Sequence, residues 1–202
     1  MIRLFVALPF PAPVRARLGF LQGGVPGARW TTVENFHLTL RFIGEVDRGF
    51  ADGIDAALAS VRAPAFELNL AGLDQFGHGA KPRVLYLGVE RNPALSFLQA
   101  KVESALVRAG VAPETRRFSP HVTLARLKEA PPSRVGTFIR DHEPCRIGPI
   151  ACDRFVLFSS WPQSSGPIYR AEVDYPLGLG AQDLAYEADE EDDQDWPGIE
   201  RG

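Results

Sequence analysis

Two heptads decide how this chain folds: Phe36-His-Leu-Thr-Leu-Arg-Phe42 and Pro120-His-Val-Thr-Leu-Ala-Arg126. Each carries His-x-Thr-x with apolar x. Successive side chains of a β-strand point to opposite faces. His37 and Thr39 therefore share one face, and Phe36, Leu38, Leu40 and Phe42 the other. His121 and Thr123 repeat the pattern above Val122 and Leu124. The apolar face packs into a core, and the other offers an imidazole beside a hydroxyl. One such strand is ordinary, because Thr favours strands and a lone His suits a solvated face. Here two of the chain's four His occupy the same frame, 84 positions apart, and a paired constellation carries more information than a lone motif.

The echo extends outward from the motifs. Arg3-Leu-Phe-Val-Ala-Leu8 before Pro13 resembles Arg83-Val-Leu-Tyr-Leu-Gly88 before Pro93, an offset of 80. Asp47 is an N-cap candidate, and Phe50, Ile54, Ala57, Leu58 and Val61 follow at helical spacing. Leu95, Leu98, Val102, Leu106 and Ala109 form the equivalent stripe behind Pro93, closed by Gly110. Shorter helices are expected at 14–21 and 131–139. Further strands are expected at 66–73, 154–158 and 168–173, with loops at 74–82 and 161–166. Each half then reads strand, helix, His-x-Thr-x strand, helix, strand. The expected fold is α+β and bilobal, a pseudo-twofold duplication. Two antiparallel sheets with flanking helices would set the motif strands facing across a central cleft. The expected domain is 1–178, in halves of about 1–80 and 81–178, and the sequence leaves open whether strands exchange between them.

Charge is unevenly placed. Residues 179–202 hold nine acids and one Arg, a balance of −8, whereas 1–178 hold 16 acids and 21 bases, a balance of +5. The acidic segment lacks periodicity and is expected to be a disordered tail. The mildly basic body suits a phosphate-bearing ligand, not a DNA-binding stripe. No apolar run reaches the roughly 18–20 residues of a membrane helix, and the apolar start is too short for a signal peptide and is broken by Pro9, Pro11 and Pro13. Cys145 and Cys152 form neither a disulfide framework nor a metal cluster. They read as thiols of a reducing cytoplasm.

A symmetric cleft with two imidazoles suits a reaction in which one proton is taken and another given, because His titrates near neutrality. A Thr beside each His can donate to a phosphoryl oxygen, so the layout fits in-line attack at phosphorus. There is no nucleophile elbow around Ser119, no P-loop and no GxGxxG. No HExxH or paired Cys supports a zinc site built with His78 or His142. His78 reads as a loop residue and His142 as a surface one. A module that only grips phosphate uses the same groups and stays open, as does the choice of acid and base between the two His. Arg41 shares the His37 face by strand parity and is a candidate phosphate contact. Parity puts Arg126 on the face opposite His121 unless the strand bulges first. Phe42 and Trp30 either stack a base or fill the core, with core favoured for Phe42.

These motifs, with Pro26-Gly-Ala-Arg-Trp30, Asn35 to Glu45, Leu70-Ala-Gly-Leu73 and Asp153-Arg-Phe-Val-Leu157, resemble the 2H phosphoesterase superfamily. Within it the chain resembles the RNA 2′,3′-cyclic phosphodiesterases, historically called 2′-5′ RNA ligases, over about residues 1–177. The resemblance implies a LigT-like fold and hydrolysis of RNA 2′,3′-cyclic phosphate ends, or of small cyclic nucleotides, to a 2′-phosphate and free 3′-hydroxyl. It implies no metal or other cofactor and a monomer. By the same resemblance His37 is the proton donor and His121 the proton acceptor. Thr39 and Thr123 hold phosphate oxygens, and Arg126 matches a substrate-contacting position. Run backwards with an RNA 5′-hydroxyl in place of water, the chemistry is 2′-5′ ligation.

Overall fold

The computed structural model describes residues 1–78, 81–163 and 166–178. The acidic segment from 179 onward, and the disorder expected of it, lie outside the described residues.

The strands are β1 (Ile2–Pro9), β2 (Ala28–Trp30), β3 (His37–Val46), β4 (Phe66–His78), β5 (Lys81–Val89), β6 (His121–Leu127), β7 (Arg146–Cys152), β8 (Arg154–Trp161) and β9 (Ile168–Pro176). The helices are α1 (Ala12–Gly19), α2 (Arg48–Ala59), α3 (Pro93–Arg108) and α4 (Pro132–Asp141). Local chemistry sets their ends. Asp47 caps α2 by accepting from the Phe50 amide at 2.9 Å, and Asn92 caps α3 by accepting from Leu95 at 3.0 Å. Proline occupies the first turn of α1, α3 and α4, where its missing N–H breaks no helical bond. The stripe Leu95, Leu98, Val102 and Leu106 is buried in the core.

Two antiparallel sheets form, ordered β3-β1-β8-β9 and β2-β6-β5-β4-β7. Aligning the motif strands β3 and β6 makes β1 equivalent to β5, β8 to β4 and β9 to β7. The pseudo-twofold expectation is thus realised, with β2 the one strand among the described residues that lacks a counterpart. The halves of the chain exchange strands. β4, from the first half, is hydrogen-bonded between β5 and β7, while β8 and β9, from the second half, extend the sheet of β1.

Two expectations need correction. The segment expected to be a loop, 74–82, continues β4 to His78 and pairs it with β5 from Lys81. Gly77 reads as punctuation in sequence, but here it admits a close backbone approach: a Cβ would lie 2.2 Å from the Lys81 carbonyl oxygen. β7 was absent from the sequence reading because Pro149 interrupts it. β7 is an edge strand, where a residue without an N–H is tolerated.

Each motif strand also carries a bulge just past its Thr, and β3 a second one at Ile43, between the Leu4–Gly44 and Phe5–Phe42 pairs. Val6 pairs with Arg41 and Ala7 with Thr39, leaving Leu40 over. Leu85 pairs with Ala125 and Tyr86 with Thr123, leaving Leu124 over.

β2 is pinned to β6 at both ends, by Thr31 N–H to Leu124 C=O and by Lys128 N–H to Gly27 C=O, each at 2.9 Å. Gly27 has φ +76°, and a Cβ there would lie 2.4 Å from the Lys128 carbonyl oxygen. Gly27→Ala is expected to lower the unfolding free energy by about 1–3 kcal/mol, read as an earlier urea midpoint at unchanged slope.

Candidate active site

A bulge inserts one residue and so reverses the alternation beyond it. His37 and Thr39 point into the cleft between the sheets, and so do His121 and Thr123. Past Leu40, Arg41 turns to the core and Phe42 to the cleft. Past Leu124, Ala125 turns to the core and Arg126 to the cleft. Phe42 and Arg126 are therefore pseudo-equivalent positions.

This overturns two sequence readings. Arg41 does not share the face of His37. It is buried, its Nε donating to Glu103 of α3 at 2.5 Å and its other nitrogens to the carbonyl oxygens of Phe42 and Ala112. Glu103 also accepts from the Glu114 amide at 2.9 Å. Arg41 thus ties the first bulge to the loop leading into the second motif strand and is not available to phosphate. Phe42 is not a core residue: it is 57% exposed and sits 5.8 Å from the Phe5 ring. Trp30, by contrast, is half-buried and packs against Phe138. Arg126 is exposed on the cleft face, and its charge acts on the Tyr169 phenol of the opposite sheet, partly offsetting the rise that burial causes there.

The two imidazoles are held alike. His37 Nδ1 lies 2.7 Å from the Asn35 carbonyl oxygen, and His121 Nδ1 lies 2.8 Å from that of Ser119. A carbonyl oxygen only accepts, so each Nδ1 carries a proton and each neutral ring keeps Nε2 as the basic nitrogen. Thr39 Oγ1 donates to His37 Nε2 at 3.1 Å. Thr31 Oγ1 donates to the Thr123 carbonyl at 2.9 Å, fixing the second motif strand from β2.

Aromatic rings wall in both His. Phe5, Phe158 and Tyr169 lie 5.0, 6.3 and 5.2 Å from the His37 ring. Phe76 and Tyr86 lie 4.9 and 5.3 Å from the His121 ring. Motif reading missed this wall. Its signal was present in the aromatic residues of β1, β4, β5, β8 and β9, but assigning their faces requires the pairing register. Burial lowers the pKa of His37 to about 4, against the opposing carbonyl bond, and a charge on His121 lowers it further. Burial also lowers that of His121.

His142 lies apart from this pair. It stacks on Phe138 at 4.1 Å and helps line a cavity of about 420 Å³ between α4 and the segment 21–24 that follows α1. His78 ends β4. Among the described residues no group of three or more His, Cys, Asp or Glu is placed to hold a metal ion, and no helix is long and apolar enough to cross a membrane.

The model of the LigT like Phosphoesterase family matches the chain twice, over residues 8–86 and 87–169, so each match takes in one His-x-Thr motif. The chain belongs to this family. It is 38% identical over 159 residues to an RNA 2′,3′-cyclic phosphodiesterase of Aeropyrum pernix, covering 77% of this chain and 89% of that one. It is 37% identical over 157 residues to one of Thermotoga maritima, covering 76% and 82%. Among solved structures, Escherichia coli LigT complexed with 3′-AMP superposes with a TM-score of 0.69 at 25% identity, covering 87% of this chain and 98% of that one.

Two measurements follow from this site. An unfolded chain protonates His37 near pH 6.5, the folded one only near pH 4. The stability held above pH 6.5 is therefore lost as the pH falls toward 4. Unfolding free energy should drop over that window by about 2–3 kcal/mol more in the native protein than in His37→Asn. Arg41→Met leaves Glu103 without its partner and should cost about 3 kcal/mol in chemical denaturation.

Proposed function

We propose that the chain hydrolyses the 2′,3′-cyclic phosphate end of RNA to a 2′-phosphate with a free 3′-hydroxyl. The observation that carries this is the duplicated imidazole: two rings with Nδ1 tied to backbone and a basic Nε2 left for chemistry, in a family whose curated members include RNA 2′,3′-cyclic phosphodiesterases. In this reading His121 Nε2 takes a proton from water as the water oxygen bonds to phosphorus. The P–O3′ bond breaks, and His37 Nε2 gives its proton to the departing 3′ oxygen. Thr39, Thr123 and Arg126 hold the non-bridging oxygens as negative charge builds on them. Phe42 offers a face to the terminal base. The assignment of donor to His37 follows the family resemblance, since the pseudo-symmetry alone treats both rings alike.

Half-buried, uncharged imidazoles suit this work. A neutral His121 is ready as a base. His37 must carry a proton, which its surroundings resist until the anionic substrate arrives and favours the charged ring. Both rings have depressed pKa values in the free protein, and these govern kcat/KM. Its optimum should fall below pH 6.5, and that of kcat should lie higher.

The deciding assay uses an oligoribonucleotide ending in a 2′,3′-cyclic phosphate. A 2′-phosphate product is expected, with turnover falling by roughly 10²–10⁴ in His37→Ala and in His121→Ala. A 3′-phosphate product would reverse the leaving oxygen. Tight binding without turnover would make the chain a phosphate-binding module.

A further inference from the structure

The two cleft walls differ in chemistry. On the first sheet the cleft face is aromatic, with Phe5, Phe42, Phe158 and Tyr169 around His37. On the second sheet the position equivalent to Phe42 is Arg126, and β2, the strand without a counterpart, adds one more residue beside it. Arg29 of β2 is paired directly with Arg126 of β6. Directly opposed residues of an antiparallel pair share a face, with Cβ atoms about 4.5–5.5 Å apart, and like charges so placed destabilise the pairing. Both arginines are exposed, and neither makes an ion pair with any described residue. Other arginines of the fold do so: Arg3 with Glu45, Arg41 with Glu103, Arg146 with Glu90 and Arg154 with Asp174.

Two unneutralised guanidinium groups held side by side on a pinned strand form an anion site. Thr123, Arg126 and Arg29 run outward in order from the reacting centre. The last step crosses one strand spacing, about 4.8 Å. A ligand that fills this row carries a second phosphate next to the one at the His pair. We propose that Arg29, together with Arg126, binds the phosphodiester that joins the cyclic end to the rest of the RNA strand, so that the site selects polynucleotide ends over cyclic mononucleotides. This rests on the hydrolase reading for its substrate and adds a residue, Arg29, that motif and chemistry alone leave without a role. The competing explanation is that Arg29 only guards a sheet edge, as charged residues commonly do.

A charge-deletion cycle separates these. The probes are two dinucleotides ending in a 2′-phosphate, one with a natural internucleotide linkage and one with an uncharged methylphosphonate. Their Kd is measured with the native protein and with Arg29→Met. Removing the linkage charge should weaken binding to the native protein about tenfold, the scale of a charge-assisted contact. Arg29→Met should weaken the natural dinucleotide equally, and the two changes together should cost little more than either alone. The salt dependence of binding should lose about 0.7 from its log–log slope in the variant, and Arg29→Lys should restore much of it. Additive losses, or no loss on neutralising the linkage in the native protein, overturn the proposal without relying on a variant. Turnover of a dinucleotide with a cyclic end is scored separately. Coupling without turnover sinks the hydrolase reading and keeps the phosphodiester site. Turnover without coupling does the reverse.

Discussion

One surplus residue just past each motif Thr determines what enters the cleft. Leu40 and Leu124 are left unpaired in the ladders. Without those bulges strict alternation would bring Arg41 and Ala125 to the reacting face and send Phe42 and Arg126 away from it. With them, an aromatic ring and a guanidinium stand at equivalent places, and a duplicated fold acquires two unlike walls. The local twist that accompanies a bulge is secured by Arg41, whose buried guanidinium holds the Phe42 carbonyl and reaches across to Glu103 and Ala112.

The imidazoles illustrate how little the reaction asks of covalent chemistry and how much of electrostatics. Each ring is oriented by a backbone carbonyl two residues upstream, a bond that raises its basicity, while burial among aromatic rings works against a charge and prevails. These surroundings therefore favour two neutral imidazoles. In the proposed reaction, an arriving phosphate would supply the negative charge that makes an imidazolium tolerable.

The sequence made the motif strands, the helical stripes and the duplication legible, because these rest on local periodicity and on repetition. His37, Thr39, His121 and Thr123 could be placed on common faces for the same reason. Arg41 and Phe42 were misplaced because a bulge depends on which strand lies alongside, and no residue type at Leu40 announces it. β7 was missed because Pro149 is tolerated only at a sheet edge, and edges are a property of topology. The aromatic wall was invisible until β1, β4, β5, β8 and β9 were assigned to their sheets. Strand exchange likewise leaves no trace in composition.

That exchange bears on how the cleft behaves. β4 is laced into the sheet of the second motif, and β8 and β9 into that of the first. The chain thus crosses between lobes and back, and each lobe keeps interior strands belonging to the other. Each ladder lies wholly within one sheet, so displacing one lobe against the other leaves the ladders intact and bends the crossing segments, such as 60–65 and Asp153. The separation of His37 from His121 therefore depends on how those crossings are packed and not on the ladders.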